Sequence, residues 1–389
     1  MFSSRVPGDR RPNRLASAVR AARVTGGGLI DLTVTNPTRC GFDYPADILM
    51  SLAKPAGRDY VAAPFGLETA REAIAADYAR RGLKIDPRRI VLTSSTSEAY
   101  SVLFKLLCEP AGSVALVPAP SYPLFEHLTR LDGVLAVPYR LEYHGRWWVD
   151  LESVEAGLVV PNARVVLAVS PNNPTGSALA KHEADELLRR CARAGAALIL
   201  DEVFADYSLT ARMIDPLTSI DSSDALAFRL GGLSKSAGLP QVKLGWVVVS
   251  GPAPLVEEAL DRLELICDTY LSVSTPVQVA AADLIARGAA VRDQVVARIR
   301  ANQETLRSLG AGAPSVDVLA ADGGWSAVLR VPATRSEEDI VLALLDEAGV
   351  LVHPGFFFDF PREAYLVVSL LPPPDLFRAG VQRMLERVQ

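Results

Sequence analysis

Between residues 89 and 250, short apolar runs alternate with longer stretches in which apolar residues recur every three or four positions. Seven runs, at 89–92, 114–117, 134–138, 165–169, 197–200, 225–230 and 244–249, are nearly uninterrupted, as in strands covered on both faces. Between them, Glu98 to Cys108, Phe125 to Leu131 and Lys181 to Ala194 keep helical spacing. The alternation predicts an α/β fold whose large domain is a mainly parallel, seven-stranded sheet with helices on both faces. Ligands of such sheets sit beyond the carboxyl ends of the strands.

The flanks read differently. Leu15 to Ala22 suits a short helix, Gly26 to Gly28 interrupt it, and a strand at Leu29 to Val34 ends in the turn Thr35-Asn36-Pro37-Thr38. Helical spacing also runs from Leu67 to Arg81. From about Leu255 one long helical stretch runs through Pro276 to Leu309. Strands at 326–331, 350–352 and 366–370, a helix at 336–348 and a last helix from Pro374 follow it. This predicts a smaller α+β domain, with boundaries at 1–48 for the arm and part of that domain, 49–275 for the large domain and 276–389 for the remainder.

Composition removes several function classes. With 40 Lys+Arg against 45 Asp+Glu the net charge is -5, without long single-sign runs, so nucleic acid and anionic membranes are not the expected partners. No apolar run approaches the roughly 18–20 residues of a membrane span. Cys40, Cys108, Cys191 and Cys267 are dispersed and read as free thiols, mostly buried. The first residues lack an apolar signal region, so the cytoplasm is the expected compartment. His127, His144, His182 and His353 are dispersed, show no metal-ligand spacing and are not expected to act directly in catalysis.

Four strand ends collect polar residues. Ser95-Thr96-Ser97-Glu98 stands between a strand and a helix, where free N–H groups and hydroxyls suit a phosphate; Ser95 and Glu98 also suit a capping box. Ser170-Pro171-Asn172-Asn173-Pro174-Thr175-Gly176 is turn-forming and carries an amide at a strand end. Asp201 closes an apolar strand, so its carboxylate is partly desolvated and needs a cation or donor. The stretch from Gly231 to Trp246 holds Lys235 and Lys243 among small and apolar residues. A desolvated lysine is neutral part of the time and able to form a Schiff base with an aldehyde.

Three of these segments, SPNNPTG, DEVFADY and LSKSAGLPQVKLGW, resemble in order and spacing the class I/II, aspartate-aminotransferase-like pyridoxal-phosphate enzymes of fold type I. The similarity extends from the LTVTNPT turn to HPGFFF. It implies that Lys235 carries pyridoxal 5'-phosphate as an internal aldimine and serves as general acid/base, that Asp201 pairs with the pyridine nitrogen, and that Asn173 bonds the phenolic oxygen. It further implies phosphate binding by Ser95, Thr96, Ser97, Ser234 and Lys243, and stacking by Tyr122. Tyr60 resembles a tyrosine that reaches the neighbouring subunit's cofactor, implying a homodimer with shared active sites. The activity implied is ping-pong transfer of an amino group from an amino acid to a 2-oxo acid.

Departures from the pattern matter as much. Lys243 stands where an arginine is usual, Gly232 where a serine is common, and Phe204 where a tyrosine shares the phenolic oxygen. In Tyr365-Leu366-Val367-Val368-Ser369 a valine replaces the arginine that clamps the substrate carboxylate. Asn36 and Arg39 are the expected substrate-binding residues, with Arg39 the first candidate to substitute for the clamp. The missing clamp keeps open a β-eliminating lyase or other carbanion chemistry, while a non-catalytic ligand sensor fits poorly with Lys235, Asp201 and Asn173 all present.

Overall fold

A computed structural model of the chain describes residues 2–8, 11–25, 28–211 and 213–388; Gly26 and Gly27 of the expected glycine break lie outside them. The elements run α1 (Arg14–Thr25), β1 (Ile30–Asp31), α2 (Glu68–Arg80), β2 (Ile90–Thr93), α3 (Thr96–Leu107), β3 (Val114–Ala119), α4 (Leu124–Leu131), β4 (Leu135–Tyr143), β5 (Trp147–Val149), α5 (Leu151–Leu158), β6 (Ala163–Val169), α6 (Lys181–Ala194) and β7 (Ala197–Asp201). They continue with β8 (Ala227–Gly232), α7 (Leu233–Ser236), β9 (Gly245–Ser250), α8 (Ala253–Tyr270), α9 (Thr275–Gly310), β10 (Asp317–Val318), β11 (Ser326–Arg330), α10 (Glu337–Ala348), β12 (Val350–Leu351), β13 (His353–Pro354), β14 (Tyr365–Ser369) and α11 (Pro374–Val388).

The large sheet has the order β2-β9-β8-β7-β6-β3-β4-β5. Pairs β8–β7, β7–β6, β6–β3 and β3–β4 are parallel, whereas β9 runs against both neighbours and β5 folds back on β4. Every residue of β7 and β8 is buried, because α3 and α8 cover one face while α5 and α6 cover the other. The amphipathic spacing of α6 explains its side: Ala184, Leu187, Leu188 and Cys191 point inward, and Gly195, at φ +64, ends the helix.

Eight strands replace the seven expected, since the hairpin at Gly145 and helix α5 had no apolar run long enough to announce them. Asp150 caps α5 by accepting from the Glu152 and Ser153 amides. The strand expected at 29–34 is only two residues long because Asp31 Oδ1 accepts from Thr33 N at 2.9 Å and turns the chain. The long helical stretch divides at Leu271, whose φ is +44, into α8 and α9.

Sheet β10-β11-β14-β13 is antiparallel, and β1 pairs in parallel with β12, so the N-terminal segment is tied to the last third of the chain. Ser369 N also donates to Leu32 O at 2.6 Å. A separate apolar cluster joins α2, α9, α11 and one face of this sheet. Cys40, Cys191 and Cys267 are buried and Cys108 half-buried, all as free thiols. No described helix is long and apolar enough to cross a membrane.

Candidate active site

Strands β2, β3, β6, β7 and β8 all point one way, and the loops leaving their carboxyl ends meet the inner face of sheet β11-β14-β13 across a cavity of about 410 Å³. That is within the range of roughly 300–1,000 Å³ typical of small-molecule sites. Ser95, Thr96, Ser97, Tyr122 and Asn173 line it, as do Asp201, Phe204, Ser234, Lys235 and Lys243.

The helix start at α3 serves two roles at once. Ser95 Oγ accepts from Glu98 N at 3.1 Å and caps the helix, while Glu98 Oε2 reaches back to Ser94 N, one residue before the cap, so the expected capping box is only half formed. The cap satisfies one amide of the first turn, and Ser95, Thr96 and Ser97 line the cavity at this helix start, a setting for an anion. Gly245 on β9 permits the approach: a Cβ there would lie 2.8 Å from the Ser95 carbonyl carbon and 3.0 Å from Thr96 N. Gly232 is likewise confined, with a Cβ meeting Leu244 O at 3.2 Å. Lys243 brings a cation to this end of the cavity from a left-handed turn at φ +61, a conformation uncommon outside glycine.

Asp201 ends β7 in a buried position at the cavity wall, level with Val169 on β6 and Leu230 on β8. Burial pushes its carboxyl up to about 6, against Val203 N, which donates to Oδ1 at 3.0 Å, and Tyr100 OH, which donates to Oδ2 at 2.9 Å. Behind it Glu202 is compensated by the wholly buried Arg229, 2.8 Å away, whose guanidinium also donates to Leu217 O at 2.7 Å.

Lys235 lies on the one-turn helix α7, held by Tyr207 OH donating to its carbonyl. Its Nζ lies 4.9 Å from the centroid of the Trp325 ring and 5.7 Å from that of Phe204. Desolvation lowers its pKa, opposed by the charge of Asp201. Asn173 Oδ1 accepts from Ser326 Oγ at 3.3 Å, linking the large-sheet loop to β11. Tyr122 is about half exposed on the cavity rim.

Three sequence candidates lie elsewhere in this chain. Asn36 caps the short helix Pro37–Arg39 through Thr38 N at 3.1 Å, and neither it nor the exposed Arg39 lines the cavity; Thr33 and Thr35 do so from that segment. Tyr60 is 73% exposed beside a second depression of about 250 Å³, with Ser272, Ser274 and Gln278. The structure also adds residues that sequence reasoning missed. Tyr100 is four positions beyond Thr96, hence on the same helix face. Trp325 and His353 reach the cavity from the small-sheet side, and neither is among the site residues expected from the sequence. Val367 lines the wall where the carboxylate clamp was expected, and no arginine lines this cavity among the described residues.

The family model of aminotransferase class I and II matches residues 54–379. The chain belongs to that family. Among its relatives is the glutamate-pyruvate aminotransferase AlaA of Escherichia coli (strain K12), 26% identical over 362 residues, covering 90% of this chain and 88% of the relative. The tyrosine aminotransferase of Homo sapiens is 24% identical over 354 residues, covering 88% and 77%. The fold of this aminotransferase matches the solved alanine aminotransferase from Pyrococcus furiosus with a TM-score of 0.87, at 22% identity and 99% coverage of both chains.

Proposed function

We propose that this aminotransferase uses pyridoxal 5'-phosphate to move an amino group from an amino acid to a 2-oxo acid in two half-reactions of a ping-pong cycle. One observation carries the reading: a desolvated lysine, an enclosed carboxylate and a capped helix start converge on one cavity at the strand ends. That donor set fits the cofactor. The α3 start with Ser97, Ser234 and Lys243 would hold its phosphate, Asp201 its pyridine nitrogen, Asn173 its phenolic oxygen and Tyr122 its ring face.

Bound there, the cofactor supplies a ring able to accept the electron pair released at the substrate α-carbon. Lys235 Nζ, made less basic by burial, would anchor the aldehyde carbon and then take the α-proton as general base. Asp201, ionised, would keep a proton on the ring nitrogen, and pairing with that cation offsets the cost of its burial. Phe204 and Trp325 keep water from the lysine.

The working form in this reading is a homodimer. Tyr60, Val61 and Tyr270 are large and exposed around the second depression, a surface suited to a partner subunit whose site Tyr60 would complete. Residues 49–275 form the large domain of the proposal and 276–389, with the arm 1–48, the small one; α9 spans the join by packing on both α2 and α11. The cytoplasm remains the compartment proposed.

The deciding experiment mixes the purified, cofactor-loaded protein with a panel of amino acids and follows the cofactor absorbance. Conversion of the bound aldehyde to the amine form, reversed by a 2-oxo acid and lost in Lys235→Ala, is the expected outcome. Release of pyruvate and ammonia from β-substituted substrates without that conversion would refute transfer in favour of elimination.

A further inference from the structure

We propose that His353 reads the substrate carboxylate in this enzyme, in place of the guanidinium that Val367 displaces. The inference rests on the reading of the cavity as an aminotransferase site.

Strand register is the first support. In the antiparallel pair β13–β14, His353 stands directly opposite Val367, and on the other side Val367 is opposite Val328 of β11. Directly opposed residues share a face of the sheet, with Cβ atoms roughly 4.5–5.5 Å apart. The face that carries Val367 into the cavity therefore carries the imidazole beside it, and both residues line the space. One strand over from the vacated position, the chain supplies a nitrogen heterocycle.

The surroundings of the ring are the second support. His353 is half-buried, its ring centroid 5.9 Å from that of Phe357 and 5.8 Å from that of Phe358. Among the described residues its ring nitrogens engage no hydrogen bond, so a donor is left for a ligand. The other polar groups on the same sheet face are already committed. Ser369 Oγ donates to Val34 O at 2.6 Å, and Ser326 Oγ donates to Asn173 at 3.3 Å. Among the cations of the lining, Lys235 is assigned to the aldehyde and Lys243 lies at the α3 end. A carboxylate entering near Val367 thus meets the imidazole on the adjacent strand first, with Thr35 and the unpaired indole N–H of Trp325 as the other uncommitted donors of the lining and the carboxylate of Asp31 acting on the far side of the ring.

Such a site is narrower in purpose than an arginine clamp. An imidazole offers one donor rather than a two-pronged fork, so it orients a carboxylate less rigidly and leaves Val367 and Phe358 for apolar substrate groups.

The test uses the cofactor-loaded protein, three probes and two variants. L-Phenylalanine and phenethylamine differ only by the carboxylate, while 3-phenylpropionate carries the carboxylate without the amine. In single-turnover absorbance measurements, wild type should favour the amino acid over the amine by roughly 10- to 100-fold, the discrimination available from one hydrogen bond to a charged group. His353→Leu should cut that preference by about tenfold or more through a weaker apparent Kd for the amino acid. Its maximal rate, and both constants for the amine, should stay within about twofold. His353→Gln, which keeps a donor, should retain most of the preference.

Binding of 3-phenylpropionate by calorimetry needs no turnover, so it separates this proposal from the aminotransferase reading. It should bind wild type and bind roughly tenfold more weakly to His353→Leu. If carboxylate binding depends on His353 while no amino acid of the panel converts the cofactor, the carboxylate site stands and amino transfer falls. The proposal is overturned if 3-phenylpropionate does not bind wild type or binds both proteins equally. Equal loss of amino acid and amine in His353→Leu also overturns it, as that would mark a structural role.

Discussion

The hydroxyl of Tyr100 offers a test of how the carboxylate at the end of β7 is controlled. Tyr100→Phe leaves the ring in place, where it packs edge-on to Phe125 at 5.4 Å between centroids, and removes only the donor 2.9 Å from Asp201 Oδ2. A hydrogen bond to a charged group contributes roughly 1.5–3 kcal/mol, or about one to two pKa units. Asp201, at about 6 in the folded protein, should therefore rise to roughly 7–8 in the variant. The sign follows from proton counting. A carboxyl whose folded pKa exceeds its unfolded value holds its proton in the folded state after the unfolded chain has lost it, so stability falls as pH rises through that window. In wild type the window closes near pH 6; in Tyr100→Phe it extends past neutrality. With about 2.1 cal/mol/K of unfolding entropy per residue, a chain of 389 residues has about 0.8 kcal/mol/K. The thermal midpoints of the two cofactor-free proteins should thus lie close together at pH 5 and separate by a further ~2–3 °C at pH 8.5. Scanning fluorimetry across that range reads it directly. A gap of equal size at pH 5 and pH 8.5 would refute the reasoning, because the hydroxyl would then not distinguish the ionised from the neutral acid.

Two further substitutions address the frame around the site. Gly245→Ala drives a methyl group into the backbone of Ser95 and Thr96, which cannot yield as a side-chain tip would; phosphate or cofactor affinity, measured by fluorescence titration, should fall at least about tenfold while the far-ultraviolet dichroism stays unchanged. Arg229→Met removes the nearer of the two cations at buried Glu202 and leaves Arg81 at 3.5 Å, a loss of at most about 3–5 kcal/mol, or roughly 4–6 °C in thermal midpoint for a chain of this length. Adding Glu202→Gln should recover most of that loss, and failure to recover would place the defect in packing rather than charge.

What could be read from the sequence, and what could not, divides along a physical line. Asp201, Asn173, Ser95 and Lys235 were visible because each follows an apolar strand within a few residues, and the ends of parallel strands are fixed to one edge of the sheet by the alternation itself. The strands β6, β7, β8 and β9 came out nearly to the residue for the same reason: buried on both faces, they carry the strongest patterns. The hairpin strand β5 did not, since one short strand at a sheet edge has too few apolar residues to stand out from its loop. The missed partners depend on register between distant segments. Tyr100 and Asp201 are 101 positions apart, and only the packing of α3 on the sheet brings the hydroxyl to the carboxylate. His353 becomes the neighbour of Val367 only once β13 and β14 align; a shift of one residue would turn its ring to the opposite face of the sheet. The absence of an arginine at Val367 was legible, yet its consequence was not, because a one-dimensional pattern shows which residue has been lost from a position and not which strand stands beside it. Arg39 was favoured for its nearness in sequence to a turn. The fold places that arginine at the surface and turns Thr33 and Thr35 to the cavity, while the imidazole arrives from the far end of the chain. Recognition chemistry built across strands can therefore move from one strand to the next without altering the motifs that identify the family.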